Sequence, residues 1–184
     1  TCLGSLLCTA AYSGSIVVDG TLDAGYGKVN TLQNTQTAFG DSSLGLVDFA
    51  NGSELDSGYV VISGDMMYIM LTGNLESTFN KIDVFIDARS GGQNTLRNDN
   101  PDVDYDGLNR MGDDGSGNGL TFDNGFDADF WVSMTCGGEV FATFANAAEL
   151  RTTGGGYGEY VGSGAGGADG VIVSGCEPGK CYFN

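Results

Sequence analysis

Apolar and polar residues alternate with a period of two along much of this chain. Half-buried antiparallel strands produce this alternation, because successive side chains point to opposite faces of a sheet. In residues 81–87 the apolar side consists of Ile82, Val84 and Ile86. The predicted strands are Ser15–Val18, Tyr59–Ser63, Met66–Thr72, Lys81–Asp87, Asp127–Thr135, Glu139–Ala145, Gly158–Val161 and Val171–Ser174.

Turn sequences separate several of these strands. Ser63-Gly64-Asp65 and Cys136-Gly137-Gly138 each predict a hairpin turn. Residues 66–71 are apolar on both faces, which predicts a central strand with its methionines in the core. Helical periodicity is nearly absent, and only Ala145–Arg151 predicts one or two helical turns. The pattern predicts an all-β fold, an antiparallel β-sandwich.

Two segments depart from this pattern, and both termini look different from the rest. Residues 90–125 are long, polar and rich in Asp, Asn and Gly, and a loop of this length is usually functional or ordered by something else. Residues 154–170 are Gly-rich and of low complexity. We therefore predict an apolar N-terminal arm (1–14), one sandwich domain (15–175) and a Cys-containing tail (176–184).

Composition and charge restrict the partners. Glycine accounts for 32 of the 184 residues without a collagen period, and the net charge is −17 with no histidine. The seven cations are scattered, which argues against nucleic acid and against anionic lipid surfaces. No apolar run reaches the roughly 18 residues of a membrane span. The charge suits a secreted, extracellular or cell-surface protein, or one whose carboxylates are partly neutralised by divalent cations.

Five cysteines lie mainly near the termini: Cys2, Cys8, Cys136, Cys176 and Cys181. Without histidine or a Cys-x2-Cys pair they do not resemble zinc ligands, and in an extracellular protein they are disulfide candidates. An odd number leaves one thiol free or paired with another chain, and Cys136 is either that thiol or a small buried residue.

One short motif predicts a metal site. Asp102, Asp104, Asp106 and Gly107, followed by Asp113, match the D-x-D-x-D-G-x5-acid spacing of a calcium loop. Alternate carboxylates point to one centre, the glycine permits the turn, the carbonyl of Leu108 adds a ligand and the last acid closes the cage. Flanking helices are missing from the pattern, so the motif predicts a structural Ca²⁺ site and not a sensor.

Other acidic and polar positions give weaker candidates. Asp83, Asp87, Asp127 and Asp129 lie on the polar faces of two strands, where they are either a second metal site or solvated side chains. Asn51-Gly52-Ser53 is a possible glycosylation sequon.

Four segments carry a resemblance to known proteins: Ile16–Gly27, Asp65–Leu71, Ile82–Asp87 and Phe126–Phe130. Together they resemble the family 9 carbohydrate-binding module and the broader DOMON-like β-sandwiches. The resemblance covers roughly residues 15–145, and uncharacterised secreted bacterial proteins with an Asp/Gly-rich insertion are similar as well. It implies a jelly-roll-like sandwich, often with structural calcium, that binds sugars or haem. The absence of histidine excludes haem with a His ligand.

Sugar recognition in that family depends on paired aromatic residues, and this chain has one tryptophan. Trp131 shares the polar face of its predicted strand with Asp127 and Asp129. It is therefore a candidate for sugar stacking, with burial under a loop or a neighbouring subunit as the alternative.

Three classes of function follow from these features. No nucleophile motif is present and general acid–base work would fall to carboxylates alone, so we do not expect an enzyme. The favoured hypothesis is a calcium-stabilised structural subunit of an extracellular filament, tube or surface layer. Its copies would join through exchange of the terminal arm or a strand into a homopolymer. The alternative is a secreted carbohydrate-binding module whose partner is a polysaccharide.

Overall fold

The structure is a computed structural model, and it describes residues 14–18, 20–33, 53–74, 78–137, 142–166 and 172–173. These residues contain strands and two short 3₁₀ helices, η1 (Ala24–Tyr26) and η2 (Asn109–Met111), and no α-helix. The predicted all-β class is confirmed, since the strands form two antiparallel sheets, the strand content expected of a β-sandwich. No helix in this part of the chain is long and apolar enough to cross a membrane. The chain divides into two compact units, Thr1–Asn74 and Leu75–Asn184.

The first unit contains a three-stranded sheet. Its strands β1 (Thr31–Leu32), β2 (Glu54–Ser63) and β3 (Met66–Asn74) lie in the order β1-β2-β3. The predicted hairpin turn is confirmed, with Gly64 at φ 61° between β2 and β3. The middle strand is β2, however, so the prediction of β3 as a central strand is wrong for the described residues. Met66 and Met67 are accordingly exposed and not in the core.

The predicted strand Ser15–Val18 is also wrong. The amide of Val17 donates a hydrogen bond to Asp23 Oδ2 at 2.7 Å. A side chain therefore takes the place of a neighbouring strand, and the segment has no sheet pairing in the described residues.

The second unit contains a five-stranded antiparallel sheet in sequential order. Its strands are β4 (Thr78–Ile86), β5 (Phe130–Gly137), β6 (Ala142–Glu149), β7 (Gly158–Gly166) and β8 (Ile172–Val173). The predicted helical turns at Ala145–Arg151 are wrong, because β6 pairs with a strand on each side and this pairing overrides the helix propensity of its alanines. Part of the Gly-rich segment likewise forms β7 and is not an irregular loop.

The chain between β4 and β5 packs over one face of this sheet. The register opposes Phe85 to Trp131 on that face. Leu96 and Leu108 of the inserted segment are fully buried against Trp131. Burying one such side chain contributes about 1.5–3 kcal/mol. The face that the sequence pattern predicts to be polar is therefore the core of the second unit, because the segment that covers it carries its own apolar residues.

Side-chain amides fasten the inserted segment. Gln93 Nε2 donates to Asn100 Oδ1 at 2.7 Å and to the carbonyl of Arg151 at 2.8 Å. Asn109 Oδ1 accepts from the Asn100 amide at 2.9 Å, and Asn109 Nδ2 donates to the Asn100 carbonyl at 3.0 Å. Gln93 and Asn100 are buried, so the bond between their side chains lies out of water, where a hydrogen bond is stronger.

Candidate functional site

An open cavity of about 1020 Å³ lies on the second unit, where the segment 102–110 stands beside the covered face of the sheet. The cavity begins where the apolar core ends, on the same side of strands β4, β5 and β6. It is lined by Phe79, Lys81, Asp102, Val103, Asp104, Tyr105, Arg110, Thr135, Phe144, Asn146, Gly158, Glu159 and Tyr160.

Two polar side chains of the sheet line the cavity and are almost fully buried. Thr135 on β5 is 5% exposed and Asn146 on β6 is 4% exposed. Thr135 Oγ1 has no hydrogen-bond partner among the described residues. A buried hydroxyl without a partner costs about 1–3 kcal/mol, so this group is suited to a hydrogen bond with a molecule in the cavity.

Aromatic rings surround this polar region and are largely exposed. Phe79, Tyr160 and Tyr105 are 58%, 57% and 95% exposed. Irregular strand pairing places the first two: the β4–β5 register shifts between Thr78 and Lys81, where Phe79 has φ 63°. The β6–β7 register also shifts, and it brings Tyr160 opposite Asn146. Exposed rings around hydrogen-bonding groups suit a ligand with flat apolar faces and polar edges.

The charges around the cavity nearly balance. Lys81 Nζ on β4 pairs with Asp104 Oδ2, whose side chain is 7% exposed. The remaining charged groups of the lining are Arg110, Asp102 and Glu159. Glu159 Oε2 also accepts a hydrogen bond from the Tyr157 hydroxyl at 2.7 Å. The lining therefore carries a small excess of negative charge, which favours uncharged ligands over anionic ones.

Two acids of the predicted calcium loop, Asp104 and Asp113, have separate partners. Asp104 pairs with Lys81, and Asp113 Oδ1 accepts from the amides of Gly115 and Gly117 at 2.9 and 2.8 Å. Asp102 is exposed at the cavity.

The remaining predicted ligands are the carbonyl of Leu108 and the carboxylate of Asp106. The side chain of Leu108 lies in the core and its carbonyl accepts from the amide of Met111 at 3.2 Å, while Asp106 is exposed. The described residues contain no group of three or more acids placed to hold a metal ion. The residues as arranged do not fit the ion, and the calcium site stays a prediction.

The acids of the possible second metal site do not converge either. Asp83 Oδ1 accepts from Trp131 Nε1 at 2.9 Å, and Asp87 Oδ2 accepts from the Asp127 amide at 3.2 Å. Asp129 is fully buried, and its Oδ2 accepts from the amides of Ala88 and Arg89 at 2.8 Å each. These carboxylates fasten the ends of β4 and β5, a structural role that explains acids at these positions without a cation.

The guanidinium of Arg89 connects this region to the neighbouring strand. It donates to Glu149 Oε1 at 2.6 Å, lies 3.6 Å from Asp129 Oδ1 and stands 4.8 Å from the ring centroid of Phe130. Hydrogen bonds from Arg89 and then Arg151 lower the pKa of Glu149 from its ordinary value.

Trp131 is fully buried, which corrects the prediction of sugar stacking on its ring. Its indole packs among Leu96, Leu108 and Leu150 and has no exposed face to offer a ligand. The aromatic residues that line the cavity are others, and Trp131 serves as the centre of the core.

Cys136 is the one cysteine among the described residues, and it is a buried free thiol whose pKa is raised by burial. The disulfide candidates Cys2, Cys8, Cys176 and Cys181 lie outside the described residues, as do Asn51 and residues 1–13 of the N-terminal arm.

Sequence reasoning missed the residues that build the cavity. Thr135, Asn146, Phe79 and Tyr160 carry no motif, and only their place in alternating strands hints at a shared face. The two register shifts that bring the rings together leave no trace in the hydrophobic pattern.

Comparison with known proteins does not assign this chain to a family. No family model, curated protein or solved structure matches this chain. The resemblance to the family 9 carbohydrate-binding module therefore stays a prediction.

Proposed function

We propose that this protein is a secreted, non-catalytic glycan-binding protein whose ligand is an uncharged polysaccharide. The observation that carries the proposal is the open cavity, where exposed rings surround two nearly buried polar side chains. Sugars have this combination of properties, since their C–H faces stack on aromatic rings and their hydroxyls form hydrogen bonds with polar groups.

The charge distribution supports an uncharged ligand. Lys81 is neutralised by Asp104, which leaves Arg110 as the cation of the lining that forms no salt bridge within the described residues. The whole chain carries a net charge of −17. A polysaccharide rich in uronate or sulfate would approach against this field, so neutral glucans, xylans and mannans are the appropriate probes.

The test is affinity electrophoresis and calorimetry with neutral and anionic polysaccharides. We expect binding to at least one neutral polymer and weaker binding to polygalacturonate. Tyr160→Ala and Phe79→Ala should each reduce affinity about tenfold, the equivalent of about 1.4 kcal/mol for one stacking contact. Tyr157→Ala is the matched control, because Tyr157 is an exposed tyrosine that does not line the cavity.

Two results would contradict the proposal. One is the absence of binding to every neutral polymer, and the other is binding that the double variant of Phe79 and Tyr160 leaves unchanged. A Tyr157→Phe variant accounts for the hydrogen bond that the control removes, since it keeps the ring but loses the hydroxyl that donates to Glu159.

A second candidate is the structural subunit that the sequence favours, and one observation supports it. Apolar side chains are exposed along the β2–β3 hairpin, at Val60, Ile62, Met66 and Met67. Exposed apolar groups on paired strands are common in contacts between copies of a protein.

Electron microscopy and sedimentation at increasing protein concentration test this candidate. If copies assemble through the hairpin, the wild type and Ile62→Val should form polymers, and Ile62→Asp should not. Deletion of residues 1–14 tests the terminal arm separately, because assembly that persists without it excludes the arm as the connector. A monodisperse monomer at all concentrations would refute the structural role.

A further inference from the structure

Lys81 reaches from the sheet into the segment that resembles a calcium loop. It lies on β4 opposite Thr135, and its ammonium group pairs with Asp104, the second acid of the D-x-D-x-D-G motif. Although Lys81 itself is partly exposed, the side chain of Asp104 is almost fully buried. The ammonium is therefore the counter-charge of a carboxylate that has little contact with water.

The glycine of the motif makes room for this contact. A Cβ on Gly107 would meet Lys81 Nζ and Asp104 Oδ2 before any other atoms. In a calcium loop the glycine at this position allows a sharp turn around the ion. Here the space beside Gly107 is taken by the ammonium group, and the amide of Gly107 donates to the carbonyl of Asp104 at 3.0 Å.

Contacts within the protein hold the rest of the segment in place. Leu96 and Leu108 anchor it in the core, and the buried amides of Gln93 and Asn100 fasten it from within. The closing acid of the motif, Asp113, caps its own turn through Gly115 and Gly117. These contacts account for the conformation that a bound calcium ion would otherwise have to impose.

We infer that Lys81 is a positioning residue that takes the place of a divalent cation in the Asp102–Asp113 loop. Its ammonium sets the position of the cavity wall formed by residues 102–105. The wall is then ordered in the absence of calcium. This inference concerns the protein without ligand, so it stands or fails independently of glycan binding.

The test uses trypsin cleavage after Arg110, which lines the cavity five residues beyond this wall, with cleavage after Arg151 in the β6–β7 turn as the internal reference. Wild-type protein should be cleaved at the same rate in calcium and in chelator. Lys81→Met should be cleaved about tenfold faster in chelator, the equivalent of one charge-assisted hydrogen bond, and calcium should restore its protection. Lys81→Arg, which keeps the charge, should resemble the wild type.

Calorimetry with Ca²⁺ gives a second measurement on the same proteins. We expect Lys81→Met to bind calcium more tightly than the wild type, because removal of the ammonium frees Asp104 for the ion. Asp104→Asn should lose protection in the same way but should not regain it with calcium, since it lacks a carboxylate ligand.

Two outcomes would overturn the inference. One is a wild-type wall that calcium protects as strongly as it protects Lys81→Met. The other is a Lys81→Met protein whose cleavage and calcium affinity equal those of the wild type, with Asp104→Asn equally unaffected.

Discussion

Replacement of Trp131 distinguishes a core residue from a ligand-binding one. The indole is fully buried among Leu96, Leu108 and Leu150, and it donates to Asp83 Oδ1 at 2.9 Å. Trp131→Ala should therefore lower the free energy of unfolding by about 3–5 kcal/mol, the usual cost of emptying such a site. Trp131→Phe keeps a ring but removes the donor to Asp83, and about 1–3 kcal/mol should be lost.

Urea unfolding followed by far-UV circular dichroism measures both changes, because the variants lack the fluorophore. In the wild type, this single tryptophan should emit at short wavelength and resist quenching by iodide until the protein unfolds. Glycan affinity of the folded Trp131→Phe protein should equal that of the wild type. A cost below about 1 kcal/mol for Trp131→Ala would refute the role of the indole in the core, and so would a Trp131→Phe protein that loses sugar binding at unchanged stability.

Three further predictions concern residues outside the cavity. Asp129→Ala should lower the free energy of unfolding by about 2–4 kcal/mol in urea titrations, because it removes the acceptor of the Ala88 and Arg89 amides. A loss below about 0.5 kcal/mol would refute this role of Asp129. Because the pKa of Glu149 is lowered in the folded state, its contribution to stability is present above the unfolded pKa near 4.5 and is lost as pH falls through the folded pKa. Glu149→Gln should reduce the pH dependence of the free energy of unfolding in this acidic range. An unchanged pH dependence would contradict this contribution of Glu149. Since burial raises its pKa, the Cys136 thiol should react with iodoacetamide in urea and not in the native protein. Rapid labelling of Cys136 in the native protein, assigned by mass spectrometry, would contradict its burial.

The strand content of the chain was predictable because the alternating pattern is a direct consequence of sheet geometry. Ile82, Val84 and Ile86 do lie on the opposite face from Asp83 and Phe85, as their spacing predicts. The pattern does not predict which face is buried, however, since the insertion between β4 and β5 supplies a second apolar layer. Burial of the side that holds Trp131 therefore depends on Leu96 and Leu108, which are far from it in sequence.

The acidic residues show more clearly that a sequence pattern does not determine which groups a side chain contacts. Alternating Asp residues predict several ligands to one ion. The prediction holds only where each carboxylate is free to turn towards the ion. In this structure Asp104 pairs with the ammonium group of Lys81 on β4, and Asp113 Oδ1 accepts a hydrogen bond within its own turn. The partner of Asp104 cannot be inferred from the motif, since Lys81 lies 23 residues away and the contact depends on how the inserted segment packs on β4, whereas the turn that holds Asp113 is local.

The inserted segment connects stability to the cavity through adjacent residues. Leu108 is fully buried in the core, whereas Tyr105 and Arg110, three residues before it and two after it, line the cavity. A few residues therefore serve both the core and the wall, and the wall cannot move far without exposing Leu108. This arrangement favours a preformed cavity, and the proposed glycan would then bind at little cost in conformational entropy of the protein.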